Sequence, residues 1–240
     1  MGRMRAVVAM AAAWAIVGMA CEAVAVEIRI PKELPPPESQ RPREPKAELK
    51  DLGGGMVAVD ISELFNNDGI TSEADRNDAD FDEWKQSFAA EELPEAGKLQ
   101  PKGVKAVFLF PTKEPKKYNN IACQGQLIPL GLKARQLHLL VTATDGNHQA
   151  QVGLEYADGN AQADLKVTDW CAKAAFGETA AVVCPSRVAI GIGGEQMRGK
   201  EKRETHIWAV AVPLDAKREL KAIRLPANPK IHVFAITLAK

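Results

Sequence analysis

Hydrophobic and polar positions fall into short runs separated by turn residues along most of the chain. Met56–Ile61 alternates, and Val104–Phe110 is β-branched and aromatic. Leu137–Thr144, Val152–Tyr156, Ala163–Val167, His206–Val212, Glu219–Leu225 and His232–Leu238 follow in the same style. Asp145-Gly146 and Asp158-Gly159 stand between such runs, and Asp-Gly tolerates the positive φ of a tight hairpin turn. Many short strands at close spacing predict an all-β fold, an antiparallel β-sandwich or barrel. Helical periodicity is lacking. The one short helical candidate, Phe88–Leu93, is stopped by Pro94. The stretch from Asn66 to Glu92 breaks the pattern: it is long, polar and acidic, and such loops inside a compact domain are often functional.

The first 55 residues read differently. Arg3 and Arg5 precede an apolar run, Ala6–Ala20, and Ala23-Val24-Ala25 supplies a small-x-small exit. This is the pattern of a secretory signal peptide over residues 1–25. A membrane anchor is the competing reading, but the run is shorter than the ~20 residues a spanning helix needs, and Glu22 interrupts it. Lipidation at Cys21 after Gly18-Met19-Ala20 is the other; the aliphatic residue of lipoprotein signals is missing three places before the Cys. Residues 26–55 form a proline-rich linker carrying Pro31, Pro35, Pro36, Pro37, Pro42 and Pro45 among charges of both signs, which favours extended chain. Gly53-Gly54-Gly55 makes a flexible joint, and the sandwich is expected over residues 56–240. Export, to periplasm or exterior, follows from the signal.

Charge narrows the function classes. The chain carries 31 basic and 31 acidic residues. Cleavage would remove Arg3, Arg5 and Glu22 and leave it near neutral. Nucleic-acid binders show a basic excess, so nucleic acid is not an expected partner. No second apolar run approaches spanning length, so no membrane span is expected in the mature chain. Cys123, Cys171 and Cys184 remain after cleavage. An oxidising compartment permits a disulfide between Cys171 and Cys184, which flank one loop; three buried thiols are the alternative. C-x-x-C spacing is absent among these three.

A series of motifs spans the sandwich region. Val59-Asp60-Ile61 leads to Phe65-Asn66-Asn67-Asp68-Gly69-Ile70-Thr71, then Ala79-Asp80-Phe81-Asp82 and Phe88-Ala89-Ala90-Glu91-Glu92-Leu93-Pro94. Asn119-Asn120-Ile121, Gly125–Leu130, Leu137–Leu140, Ala143–Gly146, Tyr156–Gly159 and Thr168-Asp169-Trp170 complete it. The series resembles the jelly-roll β-sandwich modules attached to secreted bacterial glycoside hydrolases. The resemblance implies an accessory module that binds carbohydrate or supports a catalytic domain. Where such modules often continue with Gly and Tyr after Asp-Phe-Asp, this chain reads Glu83-Trp84-Lys85-Gln86.

Candidate chemistry concentrates in the acidic loop. Asp75, Asp78, Asp80 and Asp82 cluster there, and hard cations want about six to eight oxygen ligands. A structural calcium site would use Asp80 and Asp82; the competing reading is a solvated loop with Asp capping turns. Sugar binding needs flat aromatic faces and planar hydrogen-bonding groups. Trp84 is the candidate platform, with Gln86, Asn66 and Asn67 as polar ligands, while Trp208 sits in an apolar strand as core and Trp170 as a plug. Catalytic patterns such as His-Glu-x-x-His and Gly-x-Ser-x-Gly are absent. The expected function is therefore a noncatalytic exported binding module for polysaccharide or glycoconjugate. A structural or interaction protein of the cell envelope, binding an envelope protein, and an unrecognised secreted hydrolase are the alternatives.

Overall fold

A computed structural model describes residues 47–72, 77–191 and 194–240. The sequence-derived signal peptide and most of the linker lie outside these residues, as does Asp75. Among the described residues no helix is long and apolar enough to cross a membrane.

Among the described residues seventeen strands carry the fold: β1 (Glu48–Gly53), β2 (Met56–Asp60), β3 (Ile70–Thr71), β4 (Ser87–Ala89), β5 (Gly97–Leu99), β6 (Phe108–Phe110), β7 (Ile121–Ala122), β8 (Leu127–Leu132) and β9 (Gln136–Ala143). β10 (His148–Tyr156), β11 (Gly159–Val167), β12 (Thr179–Cys184), β13 (Arg187–Gly191), β14 (Gly194–Glu201), β15 (Thr205–Pro213), β16 (Leu220–Arg224) and β17 (Ile231–Ala239) follow. The central sheet has the order β1-β2-β17-β9-β15-β12, with β7 paired to β17. A second sheet, β11-β10-β16-β8, faces it. The smaller β14-β13-β4-β3 sheet and the β5-β6 pair add to these. The all-β sandwich expected from the strand pattern is the fold. All strand pairs within the sheets are antiparallel except β3 with β4.

The central sheet is covered on both faces. On one face Leu137, Leu139 and Val141 of β9 and Val233, Ile236 and Leu238 of β17 pack with Val152, Leu154 and Leu165 of the second sheet. On the other, Leu140, Ile207, Phe234 and Ala235 pack with Phe81, Phe88, Phe108 and Trp170. Strands apolar on both sides read as continuous hydrophobic runs, and β17, buried at every position, is one. Its register shifts between Val233 and Ala235, so Phe234 and Ala235 both join the second cluster.

Four local expectations need correction. Gly53–Gly55 is not a joint in a linker: all three have positive φ and turn the hairpin that pairs β1 with β2, so the fold starts upstream of Met56. Asp145-Gly146, both left-handed, does not make a hairpin, because β9 and β10 belong to different sheets; it carries the chain from one to the other. Phe88–Leu93 continues β4 and then makes a single 3-10 turn, Ala90–Glu92. Finally, the run Arg198–Glu204, which by its charges reads as an exposed loop before a strand, is part strand, since β14 runs to Glu201.

Candidate functional site

The described residues of the acidic loop, 66–72 and 77–92, fold over the second face of the central sheet and are anchored from within. Phe81 is the anchor. Its ring centroid lies 5.1 Å from Phe88, 5.0 Å from Trp170 and 4.3 Å from His232. A buried amide network holds the same loop from the side. Asn120 Nδ2 donates to Asn67 Oδ1 at 2.9 Å and to Asn119 Oδ1 at 3.0 Å. Asn119 Nδ2 donates to Asp68 Oδ1 at 2.6 Å, and Asn119 Oδ1 accepts the Gly69 N–H at 3.0 Å. Asn67 Nδ2 reaches the Asp80 carbonyl at 3.1 Å. Asn66 exchanges two bonds with the Ala122 backbone, at 3.1 and 2.8 Å. The Asn66 and Asn67 amides, candidates for ligand contact in the sequence, are thus bonded to their own fold.

Asp78, Asp80 and Asp82 accept backbone N–H groups. Asp82 is buried and accepts the N–H of Trp84 at 2.9 Å and of Gln86 at 3.2 Å. Burial raises the Asp82 carboxyl above the ordinary carboxylate range against the pull of those two bonds. Asp80 accepts the Lys85 N–H at 3.0 Å and pairs with the Lys85 ammonium at 3.4 Å. Asp78 accepts the Lys116 N–H at 2.7 Å. Among the described residues no group of three or more His, Cys, Asp or Glu side chains is placed to hold a metal. Asp80 and Asp82 each turn one oxygen to loop N–H groups.

What this bracing presents is Trp84. Its side chain is 67% exposed, although Trp is ordinarily a buried residue. Glu83 and Lys85 on either side both take left-handed backbone, φ 67° and 60°. Non-glycine residues adopt that region at a cost, and such outliers gather at functional sites. Lys230 fastens the tip of the loop: its ammonium lies 2.9 Å from Glu83 Oε2 and 2.7 Å from Asp145 Oδ2. Hydrogen bonding from Lys230, with help from the Trp84 indole, holds Asp145 below the usual carboxylate range. Asp145 in turn belongs to a cross-linked group of turns. Gly146 N donates to Asp169 Oδ2 at 2.8 Å, Asp169 N to Asn147 Oδ1 at 2.9 Å, and His148 bridges the Thr144 carbonyl and Asn228 at 3.0 and 3.1 Å. The sequence pointed to Trp84 but not to Lys230, Asp145 or Asn228, which are brought to it from 61 to 146 positions away by the order of the strands.

Gln86 is part-buried and bonded within the fold. Its Oε1 accepts from Arg187, whose guanidinium also pairs with Glu201 at 2.6 Å, touches Cys171 Sγ at 3.5 Å and lies over the Trp170 ring. Trp170 and Trp208 are both buried. The proposed Cys171–Cys184 bridge is not formed. All three described cysteines are free thiols. Cys171 faces Arg187, whereas Cys184 is buried in the second cluster with Sγ 3.8 Å from the Glu92 carbonyl. Burial pushes the Cys184 thiol up to about 12 and raises Cys171 as well.

The model of the AziU2-like β-sandwich domain matches residues 56–240, from β2 to the end of β17. The chain belongs to this family. The match leaves out β1, which the structure adds to the AziU2-like domain as an edge strand of the central sheet. No curated protein matches the chain. The AziU2-like family accounts for the sandwich.

Proposed function

We propose that this AziU2-like domain is a noncatalytic, exported binding module whose ligand is a polysaccharide or glycoconjugate received at the Trp84 tip. The observation that carries the reading is the exposed indole, braced by two left-handed neighbours and by Lys230. A flat ring with fixed orientation stacks on a pyranose face, and fixed polar groups beside it hydrogen-bond sugar hydroxyls. Lys230, Glu83 and Asp145 supply donors and acceptors at that position. A noncatalytic role is supported by how the titratable groups are spent: His232 is in the core, His148 joins two turns, and the loop carboxylates bind backbone N–H groups. The test is a glycan array followed by calorimetry with the wild type and Trp84→Ala. Glycan binding at millimolar concentration or tighter, lost in Trp84→Ala, is expected. An array with no hits at millimolar ligand overturns the reading.

A second reading, an envelope interaction protein, is favoured by β12. It is the edge of the central sheet beyond β15, and Val183 on it is exposed. An open edge with an apolar side chain is a template for strand addition. Partner-free solution behaviour at all concentrations, with glycan binding intact, disfavours it.

A further inference from the structure

A cleft of about 370 Å³ opens beside β2 and shares no lining residue with the Trp84 tip. Its floor is apolar, built from Val59 and Ile61 of the β2 segment, Phe110 of β6, and Phe234 with Ala235 where β17 shifts register. Its mouth carries Lys50, Asp60, Lys117 and Tyr118. Tyr118 is 61% exposed; with Trp84 it is one of two exposed aromatic rings among the described residues. The volume lies in the range of cavities that take small ligands.

We infer that this cleft binds a small amphipathic anion: an aromatic or branched apolar body carrying one carboxylate. The floor rewards burial of the apolar body, and the Tyr118 ring provides a flat flank. The sign of the head group follows from the charges at the mouth. Lys50 and Asp60 neutralise one another at 2.7 Å, Glu48 lies 3.8 Å from the same ammonium but does not line the cleft, and Ser62 Oγ donates to Asp60 at 2.7 Å. Lys117 has no ion-pair partner among the described residues, so the charged groups that line the cleft, Lys50, Asp60 and Lys117, sum to one positive charge. The rim is already built, which keeps the ordering cost of binding low. Asn119 Nδ2 donates to the Lys117 carbonyl at 3.1 Å, Lys116 N to Asp78, and Glu114 N to Thr112 Oγ1 at 3.2 Å. Lys113 ties the same loop to the Ala90 and Leu93 carbonyls at 3.2 Å each.

Naphthoate is the probe, with naphthylmethanol and naphthylmethylamine as neutral and cationic counterparts of the same ring. The full chain is titrated with each, by calorimetry and by amide chemical shifts. Saturable naphthoate binding is expected, with shifts at residues 60–62, 109–112 and 117–118. The alcohol should bind about fivefold more weakly, as for one partly exposed charge, and the amine more weakly still. Lys117→Gln should bring naphthoate down to the alcohol's affinity, Tyr118→Ala should weaken all three, and Trp84→Ala should change none. Unshifted amides elsewhere in Lys117→Gln certify that it folds. The inference is overturned by no saturation up to about 10 mM, by shifts that map away from the cleft, by equal affinity for acid and amine, or by an unaltered Lys117→Gln.

Discussion

His232 Nδ1 lies 2.8 Å from Asn120 Oδ1 in the interior of the domain. The Asn120 Oδ1 is the acceptor, because its amide nitrogen is already donating to Asn67 and Asn119. His232 therefore holds a proton on Nδ1. Burial, reinforced by Lys230, pushes its pKa down to about 3. An unfolded histidine titrates near 6.5, so between these values the unfolded chain binds the extra proton. The His232 contribution is thus fully present above about pH 6.5 and is lost as the pH falls toward 3. Denaturant unfolding of wild type and His232→Asn at pH 7, 5 and 4 checks this. The wild type should lose up to about 1.4 kcal/mol per pH unit relative to the variant, and parallel pH profiles would contradict it.

Gly69 is where the buried loop meets its aromatic anchor. A Cβ there would stand 2.5 Å from Phe81 Cδ2 and 2.9 Å from Asn120 Nδ2. Neither neighbour has room to retreat, since Phe81 is packed among three rings and His232 and Asn120 is bonded on both sides. Gly69→Ala should destabilise the domain by about 1–3 kcal/mol, as overpacking does, read as a lower urea midpoint with unchanged m-value.

The thiols separate by exposure. Cys171 is partly accessible, whereas Cys123 and Cys184 are buried. Labelling the folded protein with iodoacetamide and mapping the adducts should find Cys171 modified and the other two protected until denaturant is added. A reducing agent should leave the melting temperature unchanged. A drop on reduction would restore a disulfide.

Calcium is the remaining question about the acidic loop. Because Asp78, Asp80 and Asp82 accept backbone N–H groups, melting with and without EGTA should give the same midpoint. A midpoint raised by added calcium would mean that these carboxylates rearrange around the ion.

The strand pattern of the sandwich was legible because β9, β10, β15 and β17 are long and have apolar residues at regular positions. β3, β4 and β7 are two or three residues long and leave no period to read. The acidic loop was legible as unusual, yet its composition pointed toward ligands while its atoms turn inward. Asx-type bonds and amide networks use the residues that sugar and metal sites also use, so composition does not separate the two. Trp84 stood out because an aromatic residue in a polar loop has nowhere local to hide. Lys230 did not, since nothing in its own neighbourhood distinguishes it from other surface lysines. Tyr118 likewise gains significance only from Phe110 and Phe234, which long-range pairing places below it.

The position of β17 has a consequence for biosynthesis. It is the last strand of the domain to be synthesised, yet it lies between β2 and β9 at the centre of the central sheet. Until Ile231–Ala239 has emerged from the ribosome, β2 and β9 have no partner between them and both hydrophobic clusters lack their shared wall. Closure must follow synthesis of this segment, because its pairings join residues far apart in the chain. The nascent domain thus stays open until its final strand is in place.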